Sequence, residues 1–177
     1  MPNLMEYPSF FCRNLRRLKM TRELAIIKTT IGPLKQEIGF EKEAADESIF
    51  GRLVTIIKEE RDNWYYVETD YRYKGYIHGD HLIIDSNKAK KWDQEANHVV
   101  NWAIIDVMHE PKYQSYSINL LTRGAIIKLT GKTKDNWVEI SMPTGEKGWV
   151  KKELITKRIR PNPGVCARHQ GIGGHVQ

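Results

Sequence analysis

Apolar residues along this chain come in short β-branched and aromatic runs, separated by glycine, proline and acidic turns. Leu24 to Thr30 reads as a strand that Gly32-Pro33 breaks. Residues 34–48 read as a long polar connection carrying Glu37, Glu41, Glu43, Asp46 and Glu47. Ile49 to Ile57 is β-branched around Gly51 and predicts strand, bend, strand. Trp64 to Thr69 alternates, with Tyr65, Val67 and Thr69 on one face and Trp64, Tyr66 and Glu68 on the other. Tyr73 to His78 is a further short strand, and Asp80-His81-Leu82 suits a turn. After a polar stretch at 85–98, able to hold a short helix, the plan recurs. Val99 to Met108, Ile118 to Leu129, Trp137 to Ser141 and Gly148 to Val150 read as strands around a Pro143-Thr144-Gly145 turn. Many short strands with turn signals predict small all-β barrels.

The recurrence is literal. Gly51 leads an apolar run into Asp62-Asn63-Trp64, and Lys74-Gly75-Tyr76-Ile77 follows; Gly124 leads another into Asp135-Asn136-Trp137, and Lys147-Gly148-Trp149-Val150 follows. Glycine to tryptophan is 13 residues in both copies, tryptophan to the second glycine is 11, and the copies lie 73 apart. Two copies at so long a period do not make a solenoid, which stacks several short repeats. They predict two modules of one fold in tandem. Matching Ala25-Ile26-Ile27 to Ala103-Ile104-Ile105 gives 26 residues to Gly51 but 21 to Gly124, so the first module's long loop is expected to be five residues larger. Modules this small sit near the limit of a self-sufficient core, so they are expected to lean on each other or on something else.

Composition narrows the function classes. Hydrophobic residues make up 40% and charged residues 28% of 177, as in a soluble globular chain. The net charge of +6 is carried by the ends: residues 1–22 hold five basic residues and one acid, and residues 157–177 hold four basic residues and none, which leaves 23–156 at −2. A nucleic-acid binder carries its basic patch on the folded domain, so no specific nucleic-acid partner is expected. Cys12 and Cys166, one near each end, offer no disulfide framework. Arg13, Arg16 and Arg17 interrupt the apolar residues of the N-terminus, so no secretory signal is read there. No apolar run approaches the roughly 18 residues of a membrane helix. As written, the chain reads as cytoplasmic with no membrane partner; a different start could hide an export signal and place it in the cell envelope. His78, His81, His98 and His109 show no metal spacing, and no metal or cofactor is expected.

The glycine-led strand, the Asp-Asn-Trp turn, the alternating strand and the Gly-aromatic-aliphatic end resemble the bacterial SH3-like (SH3b) domain. The first copy, from Asp46-Glu47-Ser48-Ile49-Phe50-Gly51 through Trp64-Tyr65-Tyr66-Val67 to Tyr73-Lys74-Gly75-Tyr76-Ile77-His78, is similar to the first SH3b domain of NlpC-type cysteine peptidases. In that family two SH3b domains precede a papain-like domain that cuts cell-wall muropeptides, typically after γ-D-glutamate. The resemblance implies two small SH3-like β-barrels in tandem: an arm at 1–22 expected to be disordered, module 1 at 23–86, a linker at 87–98, module 2 at 99–156, and a tail at 157–177 leading toward a catalytic domain. It implies a muropeptide or peptidoglycan stem peptide as partner. The family's nucleophile stands in Asp-Cys-Ser-Gly, whereas Cys166 stands in Val165-Cys166-Ala167-Arg168 with eleven residues after it. The chain is therefore expected to be catalytically silent, a truncated or frameshifted product lacking the catalytic domain.

The resemblance also nominates residues. The family tyrosine two positions before the Gly-aromatic pair helps bind the free amino end of the muropeptide, and Tyr73 occupies that place; the second copy has Glu146. An acid from the preceding loop accompanies it, which nominates Asp46 or Glu47, although a solvated acidic loop is the favoured reading of these residues. Tyr65, Tyr66, Tyr71, Tyr73 and Tyr76 make module 1 the tyrosine-rich one, and Tyr66 joins the candidates. Trp64 and Trp137 hold equal positions on outward strand faces. Packing beneath the long loop is the favoured reading for both, and an aromatic ledge for peptide or sugar is the alternative, so Trp64 also stands as a candidate. The rival to a cell-wall targeting unit is a self-standing adaptor whose first module binds a protein or peptide in a groove.

Overall fold

Residues 22–160 are described in the computed structural model, and they form an all-β fold of two antiparallel sheets joined by one α-helix. The expectations for 1–21, for 161–177 and for both cysteines lie outside the described residues. The first sheet contains β1 (Glu23–Ile27), β2 (Ile31–Lys35), β3 (Ala44–Ile49), β4 (Leu53–Glu59), β5 (Trp64–Thr69), β6 (Lys74–His78) and β7 (Leu82–Ile84). The helix α1 spans Ser86–Glu95. The second sheet contains β8 (His98–Val100), β9 (Ile104–Met108), β10 (Ser117–Thr122), β11 (Ile126–Lys134), β12 (Trp137–Ser141), β13 (Lys147–Lys151) and β14 (Ile155–Lys157). The first runs β3-β2-β6-β5-β4-β1-β7, and the second repeats that order seven strands later.

From β2 and β9 onward, each strand of the second sheet starts 73 residues after its counterpart. The five-residue difference in loop length is therefore corrected. Ile27 N donates to the Arg52 carbonyl and Gly51 N to the Ile27 carbonyl; Val100 N donates to Ala125 and Gly124 N to Val100. Ile27 thus matches Val100, not Ile105, and the two loops are equal. The shared Ala-Ile-Ile string had set β1 against β9. Two further expectations change. Gly32-Pro33 lies inside β2 rather than ending a strand. Proline is tolerated there because β2 meets β6 only at Lys35↔Tyr76, so few ladder bonds need a donor. The polar connection at 34–48 contains β3, an edge strand whose charged side chains face outward.

Each sheet curls around its own apolar cluster. Ala25, Ile27, Leu34, Val54, Ile56, Val67, Ile77 and Leu82 fill the first, drawn from six of its strands. The second cluster gathers Val100, Ile105, Val107, Leu121, Ile127, Val138, Ile140 and Val150, and takes in one residue from the other half, Phe50, which is fully buried. A third cluster lies between the halves, where Ala89, Trp92 and Ala96 of the helical segment meet Ile26 and Ile126. The helix starts where the Asp85 side chain accepts from Asn87 N and Lys88 N, both at 2.9 Å, a regular N-cap. Trp92 Nε1 donates to the Gly51 carbonyl at 2.9 Å, and Ile126 N donates to the Phe50 carbonyl at 3.0 Å. The stretch expected as a linker is thus a packed part of the junction. The expected start of the tail also shifts: Lys157 ends β14, Arg158 pairs with Asp93 at 2.8 Å, and Arg160 reaches Asp93, Gln94 and Asn97.

The two repeated glycines face each other across this junction in the left-handed region, at φ 77° for Gly51 and 85° for Gly124. A Cβ on Gly51 would lie 2.2 Å from the Ile126 carbonyl oxygen, whereas one on Gly124 would meet only side-chain ends, of Ile49 at 3.1 Å and of Arg52 at 3.8 Å. Both alanine substitutions incur the left-handed cost of roughly 1–2 kcal/mol. Gly51→Ala adds a clash with backbone that cannot move away. It is expected to be clearly the more destabilising in chemical denaturation, and equal midpoints would show the junction to be loose. Phe50→Ala is expected to lose about 3–5 kcal/mol and to lower the stability of the second half along with the first. A loss confined to residues of the first half, read by amide exchange, would contradict that.

Candidate functional site

Asp46 and Glu47 lie on the edge strand β3, opposite the turn that joins β5 to β6. The turn is closed by Thr69 N donating to the Tyr73 carbonyl at 2.9 Å and by Arg72 N donating to Thr69 at 3.1 Å, with Arg72 at φ 72°. Its apex projects Tyr71, 51% exposed, back over β3. The Tyr71 hydroxyl donates to Asp46 Oδ2 at 2.6 Å, and the other carboxylate oxygen accepts from Glu47 N at 2.8 Å. A cleft of about 340 Å³ opens at this contact, lined by Asp46, Glu47, Ser48, Ile49, Arg52 and Tyr71. Arg52 pairs with Asp70 at 2.9 Å. Partial burial of the phenol, then the hydrogen bond and charge of Asp46, push the Tyr71 pKa up to about 12. A second hollow, of about 280 Å³, runs along residues 36–45, and Lys42 and Glu37 pair at its edge at 2.8 Å.

The sequence-derived candidates fall in different places. Asp46 and Glu47 line the cleft. Tyr73 is not brought to Asp46: its half-buried ring packs on the first core cluster, and its backbone N donates to Thr69 Oγ1. Tyr71, two residues earlier, makes the contact instead. Trp64 is 4% exposed, its ring under Phe40 at 5.2 Å and beside His78 at 5.4 Å. Trp137 is likewise covered by Tyr113, at 5.6 Å. Both tryptophans pack beneath the long loop of their half, and neither ring forms an open ledge. Tyr66 stands on the outer face of β5, half-buried and 4.9 Å from Tyr76, away from the cleft lining. Tyr71 carries a sequence signal of its own. A large aromatic at a hairpin apex, followed by Arg72 at a positive φ where the other copy has Gly145, is unusual turn chemistry.

At a spacing of 73, Asp46 corresponds to Asn119 and Tyr71 to Thr144. Asn119 keeps the local bond to the next backbone N–H, at 2.8 Å, but turns its amide toward Met142. The same frame therefore forms in the second half without the acid and the phenol. Among the described residues no cluster of His, Cys, Asp and Glu could hold a metal, and no helix is long and apolar enough to cross a membrane.

No family model matches the chain. It is 33% identical over 138 residues to dipeptidyl-peptidase 6 of Lysinibacillus sphaericus, a match covering 76% of this chain and 51% of that protein. The chain thus spans about half the length of the curated relative. Its structure is similar to that of an NlpC/P60 family protein from Bacillus cereus ATCC 10987, with a TM-score of 0.59 and 15% identity over 76% of this chain and 56% of that one. At that identity the likeness shows a shared fold. The chain is thus similar in sequence to a dipeptidyl-peptidase and in fold to an NlpC/P60 family protein.

The raised Tyr71 pKa has a definite sign. The folded value lies above the ordinary 10, so the neutral phenol is the form the fold stabilises. That contribution is fully present below pH 10 and is lost as the pH rises toward about 12. In an ultraviolet titration of phenolate absorbance, Tyr71→Phe is expected to delete one late-titrating tyrosine and leave the early ones unchanged. Loss of an early-titrating tyrosine would show that the Asp46 contact does not hold in solution.

Proposed function

We propose that the described residues are two SH3b modules of a cell-wall muropeptide peptidase, acting as a non-catalytic targeting and substrate-gating unit. In this reading the cleft at Asp46 and Tyr71 receives the free amino end of a peptidoglycan stem peptide. The observation that carries it is the hydrogen bond between Tyr71 and Asp46 at the mouth of a cleft. The phenol spends its proton on the carboxylate, so its lone pairs remain to accept from an ammonium group that also donates to Asp46 or Glu47. The absence of both side chains at the matching positions of the second half supports a role other than folding. The curated relative is a dipeptidyl-peptidase by name, in keeping with a peptide as ligand.

A charge-assisted hydrogen bond contributes roughly 1.5–3 kcal/mol and a neutral one about 1. Such a half-site binds weakly, with a Kd on the order of millimolar. NMR titration of the full chain with L-Ala-γ-D-Glu is expected to shift residues 46–52 and 70–72 and to leave 117–122 and 143–145 unmoved. N-acetylating the peptide should abolish the shifts, and Tyr71→Phe should weaken them several-fold. An equal response to the acetylated peptide would remove amino-end recognition and favour an adaptor that binds another protein or peptide. The chain is expected to release nothing from L-Ala-γ-D-Glu-diamino acid peptides, and turnover abolished by Cys166→Ala would overturn the non-catalytic assignment.

A further inference from the structure

We infer that Arg52 anchors a carboxylate of the ligand, so that the cleft selects short peptides carrying both a free amino group and a nearby carboxylate. This rests on reading the Asp46–Tyr71 cleft as a ligand site. Arg52 lines the same cleft as Asp46, Glu47 and Tyr71, and is its one cationic residue. The cleft therefore has an acidic side and a basic side, the complement of a dipolar ligand. A guanidinium presents a planar fork that matches a carboxylate with two parallel hydrogen bonds, which an ammonium cannot do.

Arg52 is held in place by its backbone, while its tip is engaged by one part-exposed ion pair. Its carbonyl accepts from Ile27 N at 2.9 Å and its N donates to Ile49 at 3.2 Å, directly after the junction glycine. Its partner in the free chain is Asp70 at 2.9 Å, with 35% and 44% of the two side chains exposed. Exposed pairs of this kind hold weakly, so an incoming carboxylate can displace or share Asp70. The second half argues that the pair is not a requirement of the fold. Position 125 there is a buried alanine making the same backbone bond, Ala125 N to Thr122 at 3.0 Å, and position 143 is a proline. Arg52 also lies near the second half: its Nη2 is 3.8 Å from where a Cβ on Gly124 would stand.

The test is an NMR titration of the full chain with L-Ala-γ-D-Glu, its carboxyl-amidated forms and its N-acetyl form. Wild type, Arg52→Gln, Arg52→Lys and Asp70→Asn are compared at matched folded fraction. In the wild type, amidation should weaken binding about tenfold. Arg52→Gln should weaken the carboxylate form to the level of the amide and leave the amide unchanged. Arg52→Lys should restore part of the difference, and Asp70→Asn, which frees the guanidinium, should tighten the carboxylate form. N-acetylation should weaken binding equally in wild type and Arg52→Gln. An unchanged acid-to-amide ratio in Arg52→Gln would reduce Arg52 to a pin for the hairpin. Sensitivity to acetylation without sensitivity to amidation would leave amino-end recognition standing and overturn this inference. No response to any form would overturn both.

Discussion

Phe50 belongs to one half of the molecule by sequence and to the core of the other by packing. Neither half is large enough to close a generous core alone, so the exchange of a single large side chain matters out of proportion to its size. The crossing constrains everything near it. The Phe50 carbonyl takes the Ile126 N–H, the next residue must bring its backbone against Ile126, and only glycine permits that approach. The Gly51 carbonyl then takes the Trp92 indole, which fixes α1 and so the spacing between the halves. The segment 46–52 that contains this crossing also supplies five of the six residues lining the cleft. Asp46 and Glu47 precede it, Ser48 and Ile49 lead into it, and Arg52 follows it. Rigidity demanded by the junction is thereby passed to the candidate site, which weak binding needs if little entropy is to be lost on association.

The molecule contains its own control. Strand order and spacing match in the two halves, and the turns after β5 and β12 close with the same backbone bonds. Asp46, Arg52 and Tyr71 have Asn119, Ala125 and Thr144 as counterparts. The frame forms with either set, so the charged set needs an explanation beyond folding. Phe50 differs in kind. Its counterpart is Arg123, and Phe50 is the residue that crosses, which makes the pair directional: the first half inserts and the second receives.

How much of this was legible in the sequence follows from the range of each interaction. The all-β class and the 73-residue recurrence could be read because Gly51, Gly124, Trp64 and Trp137 answer to local demands of turn and strand. β3 was hidden because an edge strand with Asp46 and Glu47 on it looks like a loop; half of its ladder faces solvent, so nothing obliges it to be apolar. Asp46 and Glu47, two of the expected candidates, line the cleft, whereas the phenol that meets Asp46 is that of Tyr71 and not of the expected Tyr73. Tyr71 meets Asp46 across 25 positions, through the pairing of Leu34 with Asp46 and the path of a separate hairpin, and no local pattern encodes that. The burial of Phe50 in the other half was equally invisible, because an apolar residue before a glycine reads as its own module's core.

A last connection runs through the charges at the end of the described chain. Arg158 and Arg160 close on Asp93 and on the carbonyls at the end of α1, where the helix dipole is negative and cations are favoured. α1 carries Trp92, Trp92 holds Gly51, and Gly51 is followed by Arg52. The direction in which the chain leaves β14 is thus coupled to the wall of the cleft by two noncovalent steps, the arginine contacts to α1 and the indole bond to Gly51. Neither is strong alone, since the ion pairs are part-exposed and the indole bond is a single neutral one. Their effect is geometric: they remove the freedom that a polar linker between two small domains would otherwise have, and they fix the cleft and the exit of the chain in one frame.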